Sequence, residues 1–456
     1  MANGETKSRG TPIYRPVYWI YRAGSGLWHW ARRRFTRAGL WVAGGCFASA
    51  WVSTDVENTV TYQTFALLLA LLLLALAESL FFRATFTATR WLPRFGTAGQ
   101  PLRYRVRIRN LTARTQAGLT LLEELCDPRP AFAQWLAFQL AESRRVRPFS
   151  LTQRRRRNPF RQAELKEAEV PPLPARGEAE AQAQILPLRR GVLHFTGVTL
   201  ARPDPLGLFR SFINIAAPQS VLILPKRYPL GPIALPGALR HQVGGVALAA
   251  NVGQSEEFVA LREYRHGDPL RHIHWRSWAK AGKPIVKEFE DEFFVRHALV
   301  LDTFEEEPNS EILEEAVSVA ASFACTVLTQ ESLLDLLFVG NQSYCFTAGR
   351  GLAHAEQMLE ILASVRNCAD QKFETLEKLV LNHISAVSGC ICVLQRWDEP
   401  RQHLVKALRA LGVPLLALVV ARPGEKPADA GPLRGEPGSF HVLEMGQIEA
   451  QLAKLK

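Results

Sequence analysis

The sequence predicts a multidomain chain: an N-terminal transmembrane helical hairpin, a small antiparallel β-sandwich domain and a C-terminal α/β doubly wound domain. Three observations point there. No Lys or Arg occurs from Ala38 to Phe82, residues 104–110 alternate strictly between Arg and other side chains, and after Arg296 apolar strands alternate with amphipathic helices. At 456 residues the chain exceeds one ordinary core. Its formal net charge of +12 accompanies 47 % hydrophobic and 21 % charged residues, the composition of a folding chain rather than a disordered polycation. Seven cysteines with no CxxC pair fit a reducing compartment and buried thiols. Cys390 and Cys392 share a strand face but lack a second ligand pair.

Residues 1–37 form a basic cytoplasmic segment and residues 38–83 two transmembrane helices. Val60 to Phe82 is apolar apart from its first turns and Glu78, and it exceeds the roughly 20 residues that cross a bilayer. Leu40 to Thr54 is shorter and carries Gly44 and Gly45, so it spans if Arg37 snorkels or the helix packs closely on its partner. The connection, Ser53 to Thr59, holds Asp55, Glu57 and Asn58 and no basic residue. Lys7, Arg9, Arg15, Arg22, Arg32, Arg33, Arg34 and Arg37 precede the hairpin; Arg83, Arg90 and Arg94 follow it. Positive residues stay inside, which places both termini in the cytoplasm of a multi-pass inner-membrane protein. A signal peptide is disfavoured by the long basic stretch, the tandem apolar segments and the lack of a small-residue cleavage site. Trp28, Trp30 and Trp41 suit an interfacial belt.

Residues 84–230 are β-rich, with an insertion at 128–180. Alternating Tyr104-Arg-Val-Arg-Ile-Arg-Asn110 marks a half-buried antiparallel strand, and short strands recur from Ala181 between Gly and Pro punctuation. The insertion reads as helical from Phe132 to Ser143 and otherwise loose. It contains the run Arg154, Arg155, Arg156 and Arg157, suited to an anionic surface, a lipid headgroup layer first. No aromatic stacking platform accompanies it, so no specific nucleic acid is expected.

After a Gly- and Ala-rich linker at 231–257, residues 258–295 read as an extended charged and aromatic segment with turns at His266-Gly-Asp-Pro and Ala281-Gly. As chemistry, Asp268, with His272 and His274 facing one way on a strand, could serve a metal-dependent hydrolase. As structure, the Arg and Asp residues would pair and fix the two turns. The pattern Arg262-x-Tyr264-x-x-Gly267-Asp268-x-x-Arg271-x-Ile273-x-Trp275, followed by Lys280 and Val286 to Glu290, resembles the bacterial family known as domain of unknown function 58. Asp204-Pro-Leu-Gly-Leu-Phe209 is similar to a second hallmark of that family, with Leu206 where Phe is usual; His274 stands where the family commonly has Asp.

From residue 296 to 456, strands that are apolar throughout alternate with helices expected at Ser310 to Thr329, Leu352 to Val365, Gln371 to Ile384 and Pro400 to Leu411, indicating a buried parallel sheet. The resemblance implies a von Willebrand factor A-like domain, which binds partners through a divalent metal. Here the expected Asp-x-Ser-x-Ser is Asp302-Thr-Phe304-Glu-Glu306, leaving Asp302, Glu306 and Asp398 as weak metal candidates and Mg²⁺ as the one conceivable ion. No phosphate-cradling motif follows a strand. The expectation is a membrane-anchored, non-enzymatic adaptor with no catalytic residues and no cofactor. The resemblance implies a MoxR-type AAA+ ATPase as its partner, in a chaperone-like or complex-assembly role.

Overall fold

A computed structural model of the chain describes residues 11–52, 59–127, 129–145, 160–231, 258–268, 270–289, 296–305, 310–329, 333–349, 355–384, 387–425, 429–436 and 438–455. Contacts divide it into two units, residues 1–227 with 305–318 and 359–367, and residues 228–304 with 319–358 and 368–456.

The first unit begins with three helices, α1 (Thr11–Arg34), α2 (Arg37–Val52) and α3 (Thr59–Phe81). α1 was not expected: residues 1–37 read only as a basic segment. Among the described residues one helix is long and apolar enough to cross a membrane, Val60–Ser79, with a mean hydropathy of 2.1. α2 is apolar but has 16 residues. At 1.5 Å per residue it covers about 24 Å, less than the roughly 30 Å of a hydrocarbon core. The turn containing Asn58 lies outside the described residues.

Nine strands follow: β1 (Phe86–Trp91), β2 (Phe95–Thr97), β3 (Leu102–Asn110), β4 (Thr120–Leu125), β5 (Ala163–Lys166), β6 (Ala168–Glu169), β7 (Glu178–Pro187), β8 (Gly191–Pro203) and β9 (Arg210–Leu224), with α4 (Phe132–Arg145) between β4 and β5. They form two sheets, β1-β3-β7-β5 and β2-β9-β8-β4-β6. Their pairings are antiparallel except that of β2 with β9. β3 shows why the period-two pattern matters: Leu102, Tyr104, Val106, Ile108 and Asn110 are buried while Arg103, Arg105, Arg107 and Arg109 face out. Val106 and Ile108 from one sheet meet Leu121, Phe195, Leu200 and Ile223 from the other in a single core. The insertion is less loose than its composition suggests, because β5 and β6 pair into the two sheets.

The second unit holds β10 (Phe258–Glu263), α5 (Trp275–Ala281), β11 (Ile285–Phe289) and β12 (Arg296–Leu301), then β13 (Leu333–Val339), β14 (Ser343–Ala348), α8 (Glu374–His383), β15 (Gly389–Leu394), α9 (Glu399–Ala410), β16 (Leu415–Ala421), β17 (Phe440–Glu444) and α10 (Ile448–Leu452). α6 (Glu311–Thr329) and α7 (Ala355–Ser364) each contribute residues to both units. The six-stranded sheet runs β14-β13-β12-β15-β16-β17, with β14 antiparallel to β13 and the other pairs parallel. Strands β13, β15 and β16 are buried at every position, as parallel strands covered on both faces must be. The sheet's winding direction reverses between β12 and β15. In such folds the crevice beyond the strand ends at that reversal is the usual ligand position.

Candidate functional site

The family-like motif folds into a small module around the two-stranded β10–β11 sheet, in which Arg262 stands opposite Val286. Gly267, at φ +107°, lets the chain turn where a side chain would be strained. Asp268 then accepts hydrogen bonds from Arg262 Nη1 (2.7 Å) and Nη2 (2.8 Å) and from the Arg265 backbone N–H (2.8 Å). The guanidinium of Arg262, helped by that N–H, holds the carboxyl down at about 2. This two-point pairing fixes the turn.

Residues 270–281 are not extended. Leu270–His272 form one 3₁₀ turn and α5 follows, closed by Gly282 at φ +67°, whose N–H reaches the Trp278 carbonyl at 2.9 Å. His272 and His274 therefore do not share a strand face; His274 Nδ1 pairs instead with Ser277 Oγ at 2.7 Å. Ile273 bridges Val286, and both are buried. The half-buried Tyr264 donates its backbone N–H to the Pro284 carbonyl at 2.9 Å. The remaining motif residues point outward. Trp275 is 66 % exposed although its ring stacks on Trp278 at 5.3 Å, and Leu270 is 67 % exposed. Arg271 and Lys280 are exposed as well. Residues 258–289 carry seven Arg and Lys against Glu263, Asp268 and Glu288, seven minus three giving +4 with His neutral.

A second cluster fills the crevice where β12 and β15 diverge. Asp302, 0 % exposed, accepts Phe304 N–H (3.0 Å) and Arg401 Nη2 (3.2 Å) on one oxygen, and Gln395 N–H (3.1 Å) and Arg401 Nε (3.1 Å) on the other. Arg401 Nη1 also donates to Asp398 Oδ2 at 2.8 Å, and its guanidinium lies 4.3 Å from the Phe373 ring centre. Asp398 caps α9 by accepting the Arg401 backbone N–H. Asp302 and Asp398, weak metal candidates on sequence, thus share an internal guanidinium, and an ion there would have to displace Arg401. Glu306 and Arg154 to Arg157 lie outside the described residues. Among the described residues no group of three or more His, Cys, Asp or Glu could hold a metal. Arg401 and Gln395 were missed by sequence reasoning; the spacing of three from Asp398 was the one available signal.

The second hallmark has a mechanical role in the first unit. Asp204 accepts the backbone N–H groups of Leu206 (3.0 Å), Leu208 (2.7 Å) and Phe209 (2.6 Å), shaping a knob whose Leu208 and Phe209 pack with Phe35 of the α1–α2 connection and with Val42, Leu71 and Ala75 of α2 and α3. Thr36 N–H meets the Leu208 carbonyl at 3.1 Å, and Thr36 Oγ1 donates to the Gly207 carbonyl at 2.5 Å. A side chain at Gly39 would put its Cβ 1.9 Å from the Leu208 carbonyl oxygen, so only glycine lets α2 approach the loop.

The family described as Protein of unknown function DUF58 matches residues 260–391. Over 178 residues the chain is 29 % identical to "Uncharacterized protein YeaD" of Bacillus subtilis (strain 168), a stretch covering 38 % of this chain and 42 % of that one. The chain thus spans less than half the length of the curated relative it matches. Matches among solved structures include a CARDB domain from Pyrococcus furiosus (TM-score 0.14, 9 % identity, 29 % of this chain and 92 % of that one). Another is the cohesin module of a Clostridium perfringens family 33 glycoside hydrolase (TM-score 0.15, 12 % identity, 31 % of this chain and 98 % of that one). Scores this low carry no argument.

Proposed function

We propose that this protein is a membrane-anchored, non-enzymatic adaptor whose 258–289 module recruits a cytoplasmic partner. The observation that carries the proposal is the module's surface. Trp275 and Leu270 stand exposed amid a net charge of +4, just after the turn held by the Arg262–Asp268 pair. An exposed aromatic with a basic surround suits an acidic partner with an apolar pocket, since Trp and Arg are the residues that dominate protein interfaces. The resemblance of the motif to domain of unknown function 58 implies a MoxR-type AAA+ ATPase as that partner, in a chaperone-like or complex-assembly role. Filling of the strand-end crevice by Arg401 favours recognition through a surface over chemistry in a cleft. The sheet order, with Asp302 leaving the strand beside the reversal, supports a von Willebrand factor A-like reading of the second unit. α3 supplies the membrane span, and α2 completes a hairpin if Arg37 snorkels to the interface, with both ends cytoplasmic at the inner membrane.

The test is a pulldown of the full chain from solubilised membranes, scored by mass spectrometry for an AAA+ ATPase. Trp275→Ala and Arg271→Glu each lower its recovery about tenfold or more if they sit at a binding hot spot. Equal recovery with both variants, or no AAA+ ATPase with the wild type, overturns the proposal.

A further inference from the structure

α1 has two adjoining faces of different fate. Tyr14, Tyr18, Tyr21 and Ser25, at i, i+4, i+7 and i+11, form its half-buried to buried side. Tyr18 donates its hydroxyl to the Pro130 carbonyl at 2.9 Å, and its ring lies 5.4 Å from Phe132 and 5.5 Å from Trp135 of α4. Beside this side runs a second stripe, Val17, Ile20, Leu27 and Trp28, with Gly24 between them and Ala31 after them at helical spacing. Those four are 49, 73, 68 and 64 % exposed. Water is a poor partner for a continuous stripe of this kind.

The charges identify what covers it. α1 contains Arg15, Arg22, Arg32, Arg33 and Arg34 and no acidic residue. Arg33 is turned toward Glu124 and Arg34 toward the Arg210 carbonyl, whereas Arg15 and Arg32 are exposed, Arg32 with its guanidinium 5.8 Å from the Trp28 ring. Two residues after α1 ends, α2 begins, and α2 shares with α3 the packing around Leu208 and Phe209. A helix with Trp and aliphatic residues on one face, Arg32 beside them at its C-terminal end and a membrane span two helices along the chain has the chemistry of an interfacial helix.

We infer that α1 lies flat in the headgroup layer of the bilayer that α3 enters, with the Val17–Trp28 stripe at the acyl boundary and Arg32 on anionic lipid phosphates. This rests on reading α3 as a membrane span. The surface so formed is a lipid contact distinct from the span and from the partner-binding module.

The experiment uses the full chain in nanodiscs of 70:30 phosphatidylcholine and phosphatidylglycerol whose acyl chains are brominated near the headgroup. Bromine quenches tryptophan fluorescence only within contact range. Wild type should lose clearly more emission than the Trp28→Phe variant. Equal quenching of the two overturns the proposal, as does a cross-linked dimer in which Trp28 is protected from bromolipid. Carbonate extraction keeps the two readings apart. Release of the wild type by carbonate defeats the span itself, whereas a carbonate-resistant chain with equal quenching defeats the placement of α1 alone.

Discussion

Arg401 provides the positive charge that the buried carboxylate of Asp302 requires. A carboxylate with no exposed surface needs both a counter-charge and a donor for each lone pair, because an ionised group taken out of water loses solvation that only such partners replace. Asp302 has four N–H donors, two of them from one guanidinium. Removing Arg401 leaves that charge stranded, so Arg401→Ala should cost about 3–5 kcal/mol. Lysine should recover only part of the loss, since a point charge cannot reproduce the two-pronged contact. Urea midpoints of the full chain in detergent measure this; a cost within 1 kcal/mol of zero would show that water replaces the guanidinium at Asp302. Millimolar Mg²⁺ should leave the wild-type midpoint where it is. Half of this cluster was legible in the sequence. Asp302 stands out as a carboxylate leaving a buried strand, but its partner lies 99 positions away, and no local pattern reports a contact of that span.

The Asp204 loop is the element that ties the helices to the sandwich, and it depends on two residues of opposite kinds. Asp204 organises the loop from within through three backbone N–H bonds, while Gly39 allows α2 to touch it from outside. Asp204→Ala strands those N–H groups at a position only 7 % exposed and should cost about 3 kcal/mol, charge-accepted bonds being among the stronger ones. Gly39→Ala meets a backbone carbonyl and must push α2 away, so both variants should open the 205–210 loop to limited proteolysis that the wild type resists. Unchanged cleavage in both would show that the knob does not hold the helices. Elements of this size were legible where a period could accumulate. Nine residues of β3 alternate without a fault, whereas β5 and β6, with four and two residues, are too short to display any period. α1 was hidden by Pro16, Gly24 and Gly26 among its arginines. The seven residues of α5 span barely two turns, too few to separate a helix from an extended charged segment.

At the scale of the whole molecule the distribution of charge is what the proposed topology rests on. Basic residues flank both ends of a 45-residue stretch, Ala38 to Phe82, that has none, and such an arrangement keeps both flanks on the side from which the chain is inserted. Under the proposed hairpin, with α2 and α3 both crossing, the sandwich and the α/β sheet, which follow that stretch, lie on the same side as the N-terminal helix. The thiols supply a direct test, because Cys126 in the first unit and Cys345 in the second are exposed, while Cys46, Cys368, Cys390 and Cys392 are buried. A membrane-impermeant maleimide applied to intact spheroplasts should leave Cys126 and Cys345 unmodified, and the same reagent should label both after lysis. Cys126→Ser and Cys345→Ser assign each signal. Labelling of Cys345 but not Cys126 before lysis would place a crossing between the two units. Labelling of both would invert the topology and move the basic 258–289 surface away from any cytoplasmic ATPase.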